Sequence, residues 1–354
     1  MLPLLPGTNM VTVPSRSKDK YVYGSSPRDI QRRLEELVFF ESMAIEESTR
    51  VNLTSVVRRY VHFCKCLGLR PFPVSFKTLG LYLVQYCHRH GHTTRSVPGI
   101  LSHLKRANRC RGGAWLSDGD KARLDDVIAG LSKYDRSPPA RKLPMTHDVL
   151  AAIQEVADMT SLHQYQHMTM ARVAHDALLR GAELMKLRVT DVEWSADGKA
   201  VTLHIHLSKA NKVGPSERVA ISDYGDTSAV AYLREYFRLM GFKERGVTSG
   251  PLWPVTAPSG VVTRSKFTSK RAFVALARQL LTKAGFPAKD YAGHSYRSGG
   301  ATDLWRSNRC RPLTIKLHGR WKSDAYRLYI RDNPRDTAAE VSAALAFFSK
   351  AAQP

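Results

Sequence analysis

Two adjacent prolines flanked by basic residues, in KYDRSPPARKLPM at 133–145, divide this chain. Proline fixes φ and pushes the residue before it toward extended backbone, so no helix or central strand runs through the segment. The sequence patterns differ on its two sides. Before it, apolar residues recur at helical spacing and nothing alternates as a strand does. Residues 28–46 are predicted helical, with Leu34, Leu37 and Val38 on one side. Ser48 is expected to cap a helix reaching about Leu67, with Val56, Val57, Tyr60, Phe63, Cys64 and Leu67 at helical spacing and Gly68 as its stop. Ser75 opens a further helix ending near Gly91, and Ser117-Asp118 one that ends at Lys133. The segment 93–109, beginning TTRSVPGIL, stands between them without a helix assignment.

Beyond the connector the pattern becomes mixed. Thr146 is expected to cap THDVLAAIQEVAD, and a long helix is expected over 165–187. KAVTLHIHLSKANKVGPSERVAI alternates apolar and polar residues on both sides of a Gly-Pro turn, which predicts a β-hairpin at about 199–221. Residues 226–242, 268–285, 294–307 and 338–350 read as helices. The fold class is therefore mainly α with a small antiparallel β-sheet, in two domains. The expected division is a disordered leader at 1–25, a helical domain at 26–135, a basic linker at 136–145 and a second domain at 146–354. The last would carry a C-terminal helix at 337–351.

Composition narrows what such a chain binds. Across 354 residues, 54 Lys and Arg against 31 Asp and Glu give a net charge of +23. Surplus charge of that size opposes compaction and points to a polyanionic partner. The excess is spread along the chain, which suits a protein that encircles a duplex better than one with a basic tail. The five cysteines, at 64, 66, 87, 110 and 310, show no framework spacing, so reduced thiols and an intracellular location are expected. Cys87-His88 with His90 and His92 lacks the paired CxxC spacing of a zinc site and reads as a basic helix end. No run of 18 apolar residues is present, so no membrane span is expected.

Four residue types then stand out in order. Arg180 lies in ALLRGAELMKL, bordered so closely by apolar residues that a half-buried position is expected, with Glu183 placed to orient it. His294 and Arg297 follow Gly293, three residues apart at a helix start. The small residues Gly299-Gly300-Ala301-Thr302 behind them let another backbone approach closely. Lys209 and Lys212 lie near the hairpin tip, and Tyr326 and Tyr329 follow GRWKSD. Two arginines, a histidine and a tyrosine suit attack on a phosphodiester: arginines hold the phosphate and a tyrosine hydroxyl attacks it.

The set Arg180, Lys209, His294-Ser-Tyr-Arg297 and Tyr329 resembles the tyrosine recombinases, or phage-type integrases. LLRGAEL is similar to that family's GLRxSEL motif, and GHSYRSGGATDL to its HxLRHTxAT motif. GRWKSDAYRLYIR is especially similar to the Crypton and DIRS-type eukaryotic transposon recombinases. The resemblance covers both domains in layout and implies a two-domain, DNA-clamping architecture with a helical core-binding domain and a catalytic domain. It departs from the family where a His or Trp usually stands nine residues before the nucleophile. Here that position is Arg320, with Trp321 beside it and His318 two residues earlier, so which of the three fills it stays open. Counting from His318 would favour Tyr326 as the nucleophile. The Gly319-Arg320 alignment and the Tyr-Ile-Arg sequence favour Tyr329.

The resemblance implies site-specific DNA recombination for mobile-element integration or excision. The steps are strand cleavage through a 3′-phosphotyrosyl intermediate and rejoining by a free 5′-hydroxyl. Arg180 and Arg297 would stabilise the transition state. His294 would accept or orient the tyrosine proton, since a phenol with a pKa near 10 needs help losing it. Protonation of the leaving 5′ oxygen by Lys209 rests on the resemblance alone. The chemistry needs no metal or nucleotide cofactor. Expected partners are double-stranded DNA with a specific target site and a homo-tetramer on synapsed DNA, in the nucleus if the host is eukaryotic. A type IB topoisomerase or telomere resolvase would use the same residues, and a domesticated DNA-binding protein would lack catalysis.

Overall fold

The computed structural model describes residues 47–135, 141–206, 216–242, 245–330 and 342. The leader, the helix expected at 28–46, the hairpin tip with Lys209 and Lys212, and all but Ser342 of the expected C-terminal helix lie outside these residues. The chain forms two compact units, Met1–Pro139 and Ala140–Pro354, with the break inside the proline-rich connector. Both units are mainly helical, and the sheets, small and antiparallel, belong to the second.

In the first unit the described helices are α1 (Glu47–Cys66), α2 (Phe76–Val84), α3 (Val97–Arg109) and α4 (Asp118–Tyr134). α2 continues as a wider π turn over Gln85–Arg89. Ser75 caps α2 as its sequence position predicts, accepting from Thr78 N at 3.2 Å while the Thr78 hydroxyl accepts from Ser75 N. α3 goes beyond the sequence reading. Pro98 sits in its first turn, where the missing N–H costs nothing, so VPG starts this helix rather than preventing one. Tyr60, Cys64, Leu79, Leu83 and Leu104 form the fully buried centre. The Tyr60 hydroxyl donates to Thr78 Oγ1 at 2.7 Å, so its polar end is satisfied inside that core.

The second unit is built on α6 (Leu162–Asp176), buried continuously from Gln166 to His175. Around it lie α5 (His147–Val156), the one-turn helix α7 (Gly181–Leu184), α8 (Ala229–Met240), α9 (Lys270–Lys283), α10 (Ser295–Arg306) and α11 (Pro312–His318). The three-stranded sheet runs β1 (Val192–Trp194), β2 (Ala200–Ile205), β3 (Glu217–Ser222), all antiparallel. Val201 pairs with Ile221 and Leu203 with Val219, which puts these apolar residues on the buried face. A second hairpin, β4 (Pro254–Thr256) with β5 (Val262–Phe267), and α11 have no counterpart in the sequence reading.

Two expectations need correction. The helix expected at 165–187 is interrupted: α6 ends at Asp176, Leu178 adopts a left-handed φ of 47°, and Arg180 is extended ahead of α7. Thr146 occupies the N-cap of α5 but makes no side-chain cap bond. The Asp303 carboxylate takes that place, accepting from His147 N at 2.7 Å.

The small residues of α10 meet backbone. A Cβ added at Gly299 would lie 1.8 Å from the Met145 carbonyl oxygen, and one at Gly300 2.3 Å from the His175 carbonyl oxygen. Gly299→Ala should therefore cost at least the ~1–3 kcal/mol typical of overpacking. Gly130→Ala, on the exposed face of α4 with open space around it, should stabilise by roughly 0.5–1 kcal/mol through helix propensity. Urea unfolding of both variants against the parent measures the contrast; a neutral Gly299→Ala would refute the close approach.

Candidate active site

A helix leaves its last carbonyls without internal donors, and they carry the negative end of its dipole. At the end of α6 three successive carbonyls are taken by basic side chains. His318 Nε2 bonds Asp176 O at 2.7 Å, Arg320 Nη1 donates to Ala177 O at 3.3 Å, and Arg297 Nη1 donates to Leu178 O. Arg297 Nη2 donates to Gly319 O, which ties α10 to the residue just after α11. The left-handed turn at Leu178 then brings Arg180 to the same place. The buried Glu183 carboxylate joins the cluster: Oε1 accepts from Arg180 Nη1 at 2.6 Å, and Oε2 accepts from Arg180 N at 2.8 Å and Arg320 Nη2 at 2.7 Å. Arg320 Nε lies 3.3 Å from Glu217 Oε2 at the start of β3, an ion pair without hydrogen-bond alignment.

Two aromatic rings cover Arg297. Its guanidinium carbon is 4.0 Å from the centre of the Trp321 ring and 5.5 Å from that of Tyr329, and the two rings are 5.1 Å apart. The indole occupies the space over Gly319, where an added Cβ would lie 1.7 Å from it. Tyr329 closes the turn Asp324–Leu328. Ser298 Oγ donates to its carbonyl at 2.7 Å, with Thr302 Oγ1 at 3.4 Å, so α10 grips the tyrosine backbone. Tyr329 is partly exposed, whereas Tyr326 is buried with its ring 6.3 Å from that of Trp321.

The charge balance favours an added anion. Burial, then the like charges of Arg180 and Arg320, pull the Arg297 guanidinium down to about 9. An anion beside it would oppose both effects. Next to this cluster His175 donates through Nδ1 to Asp176 Oδ1 and through Nε2 to Asp303 Oδ2, each at 2.8 Å. Burial disfavours its charge, but the bonds and charges of the two carboxylates outweigh that and raise it to about 9.

Of the residues singled out in the sequence, Arg180, Arg297, Arg320, Trp321 and Tyr329 come together. His294 is the N-cap of α10 and exposed, while Arg297, three residues on, is wholly buried; the two do not share one environment as their spacing suggests. The three candidates for the variable position have separate contacts. His318 faces the end of α6, Arg320 faces Glu183, and Trp321 covers Arg297. Sequence reasoning missed Ser298 as a support for Tyr329; its spacing of four from Thr302 on α10 was the available signal. It also missed the His175–Asp176–Asp303 cluster, whose members are 128 residues apart in chain order at the widest hydrogen bond. Among the described residues, no His, Cys, Asp and Glu group is arranged for a metal ion, the Cys87–His92 segment included.

The mainly helical second unit is thus arranged around an arginine–tyrosine cluster, and its fold has known counterparts. The Tn1549 transposon integrase in complex with transposon right end DNA superposes with a TM-score of 0.55, at 14% identity, over 85% of this chain and 95% of that one. The XerH site-specific recombinase bound to palindromic difH substrate, a post-cleavage complex, gives a TM-score of 0.50 at 14% identity, over 76% and 70%. In sequence, the chain is 24% identical over 328 residues to the recombinase cre of Escherichia phage P1, covering 86% of this chain and 90% of that protein. No family model matches the sequence. Fold, relative and motifs agree in one direction: the chain is similar in sequence to the recombinase cre and in fold to site-specific recombinases and integrases.

The His175 cluster gives stability a pH dependence of definite sign. Its folded-state value is raised above the ordinary 6.5, so the stabilisation is complete below about 6.5 and is lost as pH rises through about 9. Urea unfolding of the parent should show falling stability across that window. His175→Gln should be less stable at pH 6 and flatter across the window; an equal slope in both proteins would rule His175 out as its source.

Proposed function

We propose that this chain is a site-specific DNA recombinase that cleaves and rejoins strands through Tyr329, in the integration or excision of a mobile element. The observation that carries the reading is Tyr329 set against Arg297, with Arg180 and Arg320, joined to each other through Glu183, close enough for their charges to act on it. The +23 net charge fits a double-stranded DNA partner with a specific target site.

In this reading the Tyr329 hydroxyl oxygen attacks the phosphorus of the scissile phosphodiester. A phosphotyrosyl bond forms on the 3′ side and the bond to the 5′ oxygen breaks. His294, at the exposed start of α10, takes or orients the phenolic proton. Lys209, outside the described residues, gives a proton to the departing 5′ oxygen. Arg180 and Arg297 neutralise the non-bridging oxygens as charge builds on them. Arg297 Nη1 and Nη2 are bonded to carbonyls, so its contact with phosphate would come through its Nε edge or by exchange of one of those bonds. Trp321 is the better candidate for the variable position, because it is the one of the three whose ring packs against both Arg297 and Tyr329. The phosphotyrosyl bond conserves the energy of the broken ester, so a 5′-hydroxyl from another strand reverses the step without metal or nucleotide.

The assembly is read as a homo-tetramer on synapsed DNA. Leu313 and Leu317 of α11 stand exposed at 62% and 67%, one helical turn apart. The sequence beyond Tyr329 repeats apolar residues at Val341, Ala344, Leu345 and Phe348, a stripe suited to cover such a surface on a neighbouring protomer.

Tyr329→Phe should bind DNA and lose all covalent adduct on a suicide substrate, whereas Tyr326→Phe should keep it. Adduct from the 329 variant and none from the 326 variant would reverse the assignment. Arg180→Ala and Arg297→Ala should slow cleavage by ~10² or more with a much smaller change in affinity. Equal losses in both would make them ordinary DNA contacts.

Truncation after Asn333 should leave binding to a single site intact and abolish synapsis of two. Sedimentation on paired-site DNA reads this directly, and identical tetramer formation by truncated and full-length protein would overturn the assembly reading.

A further inference from the structure

Lys270 lies 90 residues beyond Arg180 in a segment that no motif marks. It is the first residue of α9 and Arg271 is the second, with no acidic residue in that first turn. Cations are disfavoured at the positive end of a helix dipole, so two in succession there are electrostatically unfavourable without a nearby anion. Ser269 already caps the helix, accepting from Ala272 N at 3.1 Å, so Lys270 is not needed for capping.

The lysine side chain has a defined course. A Cβ built on Gly293 would lie 3.0 Å from Lys270 Cε and 3.8 Å from Nζ, and one built on Gly181 would lie 3.6 Å from Cε. The same Gly181 position is 3.8 Å from the Gly293 carbonyl oxygen. The aliphatic arm of Lys270 therefore crosses two glycines at a point where their backbones approach. Gly181 directly follows Arg180, and Gly293 directly precedes His294. A side chain at Gly293 would crowd that course, and one at Gly181 would begin in contact with it. Lys270 itself is exposed and makes no hydrogen bond or ion pair among the described residues.

We propose that Lys270 is a further phosphate-contacting residue of the reaction, its ammonium bonding a non-bridging oxygen of the phosphodiester held by Arg180. This rests on the recombinase reading of the same site. Its arm lies beside the two chain segments that carry Arg180 and His294, and its ammonium group is exposed to solvent. The lysine neutralises charge on the phosphate and transfers no proton. That separates it from a general acid, whose loss a better leaving group would compensate.

The test compares the parent, Lys270→Ala and Lys270→Arg on a suicide substrate at saturating protein. Lys270→Ala should form covalent adduct about tenfold more slowly, less than the ~10²–10³ for a fully enclosed donor because the ammonium is exposed. Lys270→Arg should recover most of the rate. On a substrate with a methylphosphonate at the scissile position, which lacks the charged non-bridging oxygen, the Lys270→Ala deficit should shrink. A 5′-bridging sulfur, which departs without a proton, should leave the deficit unchanged. The proposal falls if Lys270→Ala matches the parent, if its deficit persists on methylphosphonate, or if the sulfur removes it. It falls equally if only affinity drops while the saturated rate holds. Absence of adduct from the parent protein would instead sink the recombinase reading, and this inference with it.

Discussion

The end of α6 is the constraint on which the second unit depends. Asp176, Ala177 and Leu178 stop forming the helix and offer their carbonyls to His318, Arg320 and Arg297. Each of these side chains comes from a region more than a hundred residues later, so one helix terminus fixes the positions of α10 and of the turn after α11 together. The dipole supplies the attraction, and the unmet carbonyls supply the geometry. The left-handed turn at Leu178 completes the arrangement by redirecting the chain so that Arg180 faces the same point.

α10 distributes that constraint to the rest of the site through its different faces. Arg297 points at the end of α6. Gly299 and Gly300 let the helix lie directly on the backbones of Met145 and His175. Ser298 and Thr302 hold the carbonyl of Tyr329, and Asp303 reaches both His175 and the start of α5. A shift of α10 would therefore move the arginine and the tyrosine as one body. This gives a physical reason for the run of small residues in SGGAT that goes beyond tolerance of close packing.

Much of this was legible in the sequence, and what was not has an identifiable cause. The proline-rich connector, the Ser75 cap, the hairpin strands and the helix after His294 follow from local chemistry, and local chemistry is what sequence displays. The continuous helix read through Arg180 failed because VAHDALLRGAELMKL keeps its apolar spacing across the break. Nothing local ends the helix there; its terminus is stabilised by side chains from distant segments. α3 was missed for the opposite reason. Pro98 and Gly99 look like breakers, but a first turn accepts proline. Arg180, Arg297 and Tyr329 were visible as a set only through their order along the chain. Ser298 and Glu217 take on meaning only when the fold brings them to Tyr329 and Arg320.

The site is ordered in position yet unbalanced in charge. Arg180, Arg297 and Arg320 stand around the single carboxylate of Glu183, with Glu217 reached by Arg320 alone. Replacing a buried ion pair with apolar groups is often neutral or stabilising, so an arrangement like this is poorly explained by stability. The crowding opposes the charge on Arg297, and the Glu183 carboxylate, which relieves part of it, is shared between the two other arginines. A bound anion would relieve that crowding, and a phosphorane-like transition state with more charge on its non-bridging oxygens would relieve it further. The side chains are already held by carbonyls, by Glu183 and by the Trp321 ring, so little reorganisation would be needed in the proposed reaction. In that proposal, donors preorganised in this way would give their interaction energy to the transition state rather than to the folded protein.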